Sequence, residues 1–274
     1  MRTGVAILML FLGGCAPFAL RDESRTVHVK GSDSMLLLMQ RLSDRYVSRH
    51  PGTTIVIEGG GSGAGIAALI DGTVDLCSSS RPLTPEEIRQ MADRHGSLGV
   101  SMLCARDALA IVVHPSNPVR DLPLELLARI FRGEVTDWSA AGGAPMPIHP
   151  LRREANSGSG LYFMEHVLAG ASFGPEVRTV AGARAMVSAV GADSAAIGFG
   201  TLAYTDHVRA VTINGIPLTP ETVRSGTYPI TRYLYLYSIH PPEGTAKAFV
   251  DWIVSPEGQQ EVRSIGYIPL YDVE

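Results

Sequence analysis

The sequence predicts an α/β protein built on largely parallel sheets. Apolar, strand-like runs alternate with segments of helical periodicity along most of the chain, which is the pattern of β-α-β units. Several of those runs end in loops rich in serine and glycine, and a helix follows. In open parallel sheets ligands sit beyond the carboxyl ends of strands, against helix N-termini, so these loops are the place to look for chemistry.

The elements follow in order. "TVHVKG" (26–31) reads as a strand that runs through "SDSM" into a helix, "LLLMQRLSDRYVSRH" (36–50), with Leu38, Leu42 and Tyr46 at helical spacing. "TTIVIE" (53–58) ends in "GGGSGAG" (59–65) and a second helix. "VDLC" (74–77) ends in "SSSR" (78–81), before a helix with strong start signals. Thr84 stands at its N-cap, Pro85 at its first position, and Glu86 and Glu87 in its first turn. "LAIVVHP" (109–115) is a strand bounded by Pro115 and Pro118, followed by a Pro-flanked helix (122–133). "PIHPLRR" (147–153) leads through "EANSGSG" (154–160) into the helix "LYFMEHVLAG" (161–170). "AAIGFG" (195–200) reads as a buried strand, and Asn214-Gly215 as a turn between two short ones. "YLYLYSI" (233–239) alternates tyrosine with aliphatic residues, and residues 245–266 form the closing helices.

At 274 residues the chain holds one large domain or two lobes. A net charge of −4 and the lack of any Lys/Arg run argue against a nucleic-acid partner. The eight histidines are scattered, with neither HxxxH nor CxxC, so neither a metal nor a cofactor is expected. The opening "MRTGVAILMLFLGGC" has one basic residue and an apolar run from Val5 to Leu12 that is far too short to span a bilayer. It reads as a signal peptide. Its "LGGC" ending resembles a lipobox, which would make Cys15 the lipidated first residue of the mature chain; a plain secretory signal is the alternative. Cys77 and Cys104 then meet an oxidising compartment, either as a disulfide or as two buried thiols.

The loops 31–35, 59–65, 78–81 and 153–160 together suit anion binding without a metal. Helix N-termini present unpaired N–H groups and a partial positive charge. Serine hydroxyls add donors, glycine lets the backbone approach an oxyanion closely, and Arg81 and Arg153 could add charge-assisted bonds. Competing motifs fit less well. "GGGSGAG" lacks the Lys-Ser/Thr of a Walker loop and the spacing of GxGxxG. It comes within one residue of GxSxG, which would make Ser62 the nucleophile of a serine hydrolase with His207 or His240 as base. Structural roles also compete for single residues: Arg81 could pair with Glu86 or Glu87, one of Arg152 and Arg153 could be solvated, and Asp33 could cap a turn. Trp138 and Phe131 read as packing anchors.

The ordered set "GSDSM…HPG…EGGGSGAGI…GTVDLCSSSRPLTPEE" resembles the phosphate-binding lipoproteins of bacterial ABC phosphate transporters. "DALAIVVHPSNPV", "IFRGEVTDW", "REANSGSGLYF", "AAIGFG", "YPITRYLYLYS" and "SPEGQQEVRSIGYIPL" extend the likeness from about Thr26 to Leu270. It implies an α/β, two-lobed type II periplasmic-binding-protein fold with the ligand in the cleft between lobes, and two interlobe crossings near 107–112 and 228–235. The implied organisation is a lipoprotein signal peptide at 1–14, a tether at 15–25, one lobe from 26–107 and 233–274, and a second from 108–232.

Carried over residue by residue, the resemblance implies phosphate contacts from Ser34 and the Met35 N–H, from Ser62 with Gly63, and from Ser80 and Arg81. Arg153, Ser157, Gly158 and Ser159 match an R-x-x-x-S-G-[ST] motif in the second lobe. Well-known members carry an acidic residue near the position of Ser80, where it accepts the ligand's proton. "SSSRPL" has none, which makes Asp107 the candidate substitute. The implied partners are inorganic phosphate, ABC permease subunits and a membrane reached through the lipid anchor, with the receptor itself monomeric and not an enzyme. A receptor or sensor for another tetrahedral oxyanion, such as sulfate or molybdate, is the alternative.

Overall fold

A computed structural model describes residues 26–205 and 207–273. The expected signal peptide, the tether and Cys15 lie outside the described residues.

The first part of the chain alternates β1 (Thr26–Gly31), α1 (Leu36–Arg49), β2 (Thr54–Glu58), α2 (Ser62–Ile70), β3 (Leu76–Ser79) and α3 (Pro85–His95) before the long β4 (Val100–Val113). A second set follows: β5 (Asp121–Leu122), α4 (Leu124–Phe131), β6 (His149–Arg153), α5 (Gly158–His166), β7 (Arg178–Val180), α6 (Ala183–Gly191) and β8 (Ala196–Thr201). It continues through β9 (Arg209–Ala210), β10 (Thr212–Ile213) and α7 (Pro220–Arg224). The chain then returns along β11 (Thr231–Ser238) and closes with α8 (Gly244–Val254) and α9 (Pro256–Ser264).

One nine-stranded sheet joins the two halves in the order β2-β1-β3-β11-β4-β8-β6-β7, with β9 beside β4. β1 pairs in parallel with β2 and β3, and β6 in parallel with β7 and β8. The two parallel blocks meet through the antiparallel strands β11 and β4. β4 pairs with β11 from Val100 to Ala108 and with β8 from Leu109 to Val113, so one strand serves both lobes. In that register Arg232 on β11 lies opposite Asp107 on β4.

Local chemistry explains the elements that carry the site. α1 buries Leu38, Met39, Leu42 and Tyr46 along one stripe against the first-lobe core, where they meet Leu234, Leu236 and Phe249. α3 starts on a full capping box. Thr84 Oγ1 accepts the Glu87 N–H at 3.2 Å, and the Glu87 carboxylate accepts the Thr84 N–H at 2.7 Å. Such a cap contributes about 1 kcal/mol. The second-lobe core centres on Phe131, Phe163 and Phe199, the last two stacked at 4.2 Å. Trp138 is buried there and donates from Nε1 to the Ala195 carbonyl at 2.9 Å, as befits a packing anchor.

Two of the Ser/Gly loops turn out to contain the helix heads themselves. α5 begins at Gly158, not at the apolar Leu161, because Ser157 Oγ accepts the Gly160 N–H at 3.2 Å and makes Gly158–Gly160 helical. α2 likewise begins at Ser62, behind Gly61 in a left-handed conformation with φ +91°. The Asn214-Gly215 turn is present, both residues having positive φ, but the strand after it shrinks to a bridge between Ile213 and Ile216. Cys77 and Cys104 are free and buried, so the disulfide alternative does not hold. Burial pushes the Cys104 thiol up to about 12.

Candidate functional site

The heads of α1, α2 and α5 converge on a buried cluster of hydroxyls. Ser32 Oγ lies 2.8 Å from Ser34 Oγ and 3.1 Å from Ser80 Oγ. Ser62 Oγ lies 3.3 Å from Ser80 Oγ and accepts the Ser80 N–H at 3.1 Å. Ser159, from the opposite lobe, reaches Ser34 Oγ at 3.4 Å. All five side chains are buried. Gly158 completes the wall: a Cβ there would stand 2.3 Å from Ser62 Oγ and 2.5 Å from Ser80 Oγ, so only glycine lets the second lobe come this close.

An arginine absent from the sequence-based set is central. Arg232 donates from Nη1 to Ser159 Oγ at 2.9 Å and from Nη2 to Ser34 Oγ at 3.4 Å. Its Nε and Nη2 grip Asp107 Oδ2 at 3.0 and 2.7 Å, while Asp107 Oδ1 accepts the Thr201 hydroxyl at 2.7 Å. The signal lay in the alternation of β11. Arg232 occupies the same face as Leu234 and Leu236, and a charge at an inward-facing position must have partners.

Arg153 is also buried, and it bridges the lobes. Nη2 donates to Asp33 Oδ2 at 3.0 Å and Nε to Glu154 Oε2 at 3.0 Å. Its neighbour Arg152 takes the outward position, bonding Thr179 and lying over the Phe173 ring. A second interlobe clasp lies beside it. Asn156 Nδ2 donates to the Gly60 carbonyl at 2.8 Å, and the Asn156 carbonyl accepts the Gly63 N–H at 2.9 Å.

The structure gathers Ser34, Ser62, Ser80, Gly158 and Ser159 at one place, while Arg153 ties to Asp33 and Glu154 and Ser157 caps α5. Arg81 is not part of the cluster: its guanidinium forks onto Glu87 at 2.6 and 2.8 Å, because α3 presents that carboxylate at its first turn. Asp107 is beside the cluster, where Oδ1 accepts from Thr201 and Oδ2 from Arg232, so it orients the Arg232 guanidinium. The Met35 N–H is taken by the Ser32 carbonyl at 3.0 Å, and the Gly63 N–H by Asn156. Asp33 does not cap α1; its Oδ1 accepts the Gly60 N–H at 2.8 Å. Ser62 bonds to the Ser80 hydroxyl and to the Ser80 backbone amide, and neither His207 nor His240 is among its hydrogen-bond partners.

A buried array of hydroxyls and guanidinium groups near helix N-termini, set between two lobes that share β4, is the geometry of an anion-binding protein. Residues 19–257 match the model of the PBP superfamily domain. The Pseudomonas aeruginosa phosphate-binding protein PstS is 30% identical over 263 residues, covering 88% of this chain and 81% of the relative. The Bacillus subtilis PstS is 29% identical, with 92% and 83% covered. Among solved structures, a phosphate ABC transporter substrate-binding protein from Clostridium perfringens with bound phosphate superposes with a TM-score of 0.84 at 29% identity, covering 90% of this chain and all of that one. An ABC-type phosphate transport receptor from Vibrio cholerae gives 0.73 at 28%, covering 88% and 99%. The chain belongs to the PBP superfamily and, within it, to the PstS-like phosphate-binding proteins.

Proposed function

We propose that this protein is the substrate-binding receptor of an ABC phosphate transporter, taking inorganic phosphate into the cleft between its lobes and handing it to permease subunits. The observation that carries this is the convergence of Ser34, Ser62, Ser80 and Ser159 with Arg232 at the heads of three helices. Serine hydroxyls of such a cluster reorient toward an oxyanion, and the N–H groups of Gly158 and Ser159 at the head of α5 add fixed dipoles. Arg153 and Arg232 supply the countercharge. Four hydroxyls from two lobes can each meet a phosphate oxygen only when the lobes are closed, so binding and closure are one event.

Two lobes, 26–107 with 233–274 and 108–232, would swing about the shared strands. The leader 1–14 would export the protein, and Cys15 would anchor it by a lipid, as a monomer at the membrane surface. The role is binding and delivery, with no bond made or broken. Calorimetry on protein stripped of phosphate is expected to show one tight site. Protein that gives no heat with phosphate would end this reading.

A further inference from the structure

The chain that follows α9 runs between the lobes. Gly266, at φ +97°, turns it out of the helix in a conformation that favours glycine. The next two side chains then part. Tyr267 packs into the first-lobe core that holds Met35 and Leu38, and Ile268 into the second-lobe core around Phe131 and Phe199. Backbone bonds fix this pair against β4: the Arg106 N–H donates to the Ile268 carbonyl at 2.7 Å, and the Ile268 N–H to the Arg106 carbonyl at 3.2 Å. Gln259, wholly buried, fastens the same tail. It accepts the Leu270 N–H at 2.7 Å and donates to the Cys104 carbonyl at 2.9 Å.

The tail carries a donor to the hydroxyl cluster. Tyr267 is 3% exposed, and its O–H donates to the Ser34 carbonyl. Ser34 is a meeting point of the two lobes. Its Oγ lies 2.8 Å from Ser32 Oγ and accepts the Ser159 hydroxyl and Arg232 Nη2, each at 3.4 Å. The helix behind it gives little help, because α1 has no side-chain cap at Met35. The peptide between Ser34 and Met35 is one rigid plane. That plane is held at both ends, by Tyr267 on the carbonyl and by the Ser32 carbonyl, which accepts the Met35 N–H at 3.0 Å. Burial keeps the Tyr267 phenol well above its ordinary pKa, so it stays a donor. Binding groups need such support, which holds them within about 0.5 Å of the productive geometry.

We infer that Tyr267 is a positioning residue for the anion: its hydroxyl, carried on the interlobe tail, fixes the Ser34 peptide and with it the aim of the Ser34 hydroxyl. This rests on the phosphate-receptor reading above and deepens it. Tyr267 itself touches no ligand and acts through Ser34.

The test is calorimetry with inorganic phosphate on the stripped wild-type protein and its variants. Tyr267→Phe keeps the ring in the core and removes the donor, and its Kd is expected to rise about tenfold. Tyr271→Phe is the control. Its hydroxyl, on the same tail, donates to the Val254 carbonyl instead, so its Kd should match the parent. In a Ser34→Ala background the Tyr267→Phe change should cost no more than about twofold, because the hydroxyl it aims is gone. Tight binding by the wild type that Tyr267→Phe leaves unchanged would overturn the inference and keep the receptor reading. So would a loss from Tyr267→Phe that is undiminished in the Ser34→Ala background. Wild-type protein that binds no phosphate would overturn both. If Tyr267→Phe fails to fold, a crystal structure of the wild type with phosphate decides. The inference requires Ser34 Oγ on a phosphate oxygen with Tyr267 still on the Ser34 carbonyl, and a carbonyl released from Tyr267 overturns it.

Discussion

Arg232 and Asp107 face each other across two paired strands, with Nη2 2.7 Å from Oδ2 and each side chain only 1% exposed. A buried pair of this kind offsets its own desolvation only while complete, and removing one partner strands the other charge. Arg232 therefore joins the stability of the sheet to the chemistry of the cleft.

Arg232→Ala is expected to abolish phosphate binding and to destabilise the protein by about 3–5 kcal/mol, because Asp107 is left buried without its countercharge. The double change Arg232→Met with Asp107→Leu is expected to recover most of that stability and none of the binding. Urea midpoints and calorimetry on the same samples separate the two effects. A single variant that still binds phosphate like the parent would remove Arg232 from the site.

Ser62→Ala removes one donor of several. A hydrogen bond to a charged group is worth about 1.5–3 kcal/mol, so the Kd should rise by roughly ten- to a hundredfold. Arg153→Ala should cost more, since it takes a countercharge and an interlobe tie to Asp33 at once. Titration of the two variants side by side gives the order, and equal affinity of Arg153→Ala and the parent would relocate the site.

Gly158→Ala places a methyl group 2.3 Å from Ser62 Oγ and 2.5 Å from Ser80 Oγ. Those neighbours belong to the other lobe, so the lobes can accommodate it by standing apart. The expected outcome is near-normal thermal stability with phosphate binding lost, and a scattering envelope that no longer contracts when phosphate is added.

Acid should weaken the anchor of the third loop. Burial works to raise the Glu87 carboxyl, but the Arg81 fork and the Thr84 N–H outweigh it and hold its pKa below the usual carboxylate value. A depressed folded pKa stabilises the protein above the unfolded value of about 4.3, and that stability is lost as pH falls through the folded pKa. Glu87→Gln should be less stable than the parent at neutral pH, with the gap narrowing below about pH 4. Urea midpoints across that range check it, and a constant gap would refute the assignment.

Much of this was legible in the sequence where a residue's role is local. The Thr84 cap and the Leu38–Leu42–Tyr46 stripe announce themselves by spacing alone, whereas Gly158–Gly160 read as loop because nothing apolar marks their turn of helix. Short elements escaped, among them β5, β7 and α7, because two to five residues carry no period. The roles of Arg81, Asp107 and Arg232 were decided by partners up to 198 residues away in the chain. Glu87 claimed Arg81 through a contact six residues off, an alternative the sequence had offered, while only the register of β11 on β4 could hand Asp107 to Arg232.

That register has a mechanical side. A strand shared by both lobes makes β4 and β11 the axle of any opening motion, and points on an axle travel least. If the lobes part about these strands, as proposed, the guanidinium beside them would keep its bearing while the serines of the two lobes swing through larger arcs. An arriving anion would meet a stationary charge first and moving hydroxyls second. The ordering cost of capture falls on small rotors and backbone hinges, because the long, rotamer-rich arginine has already been fixed by Asp107.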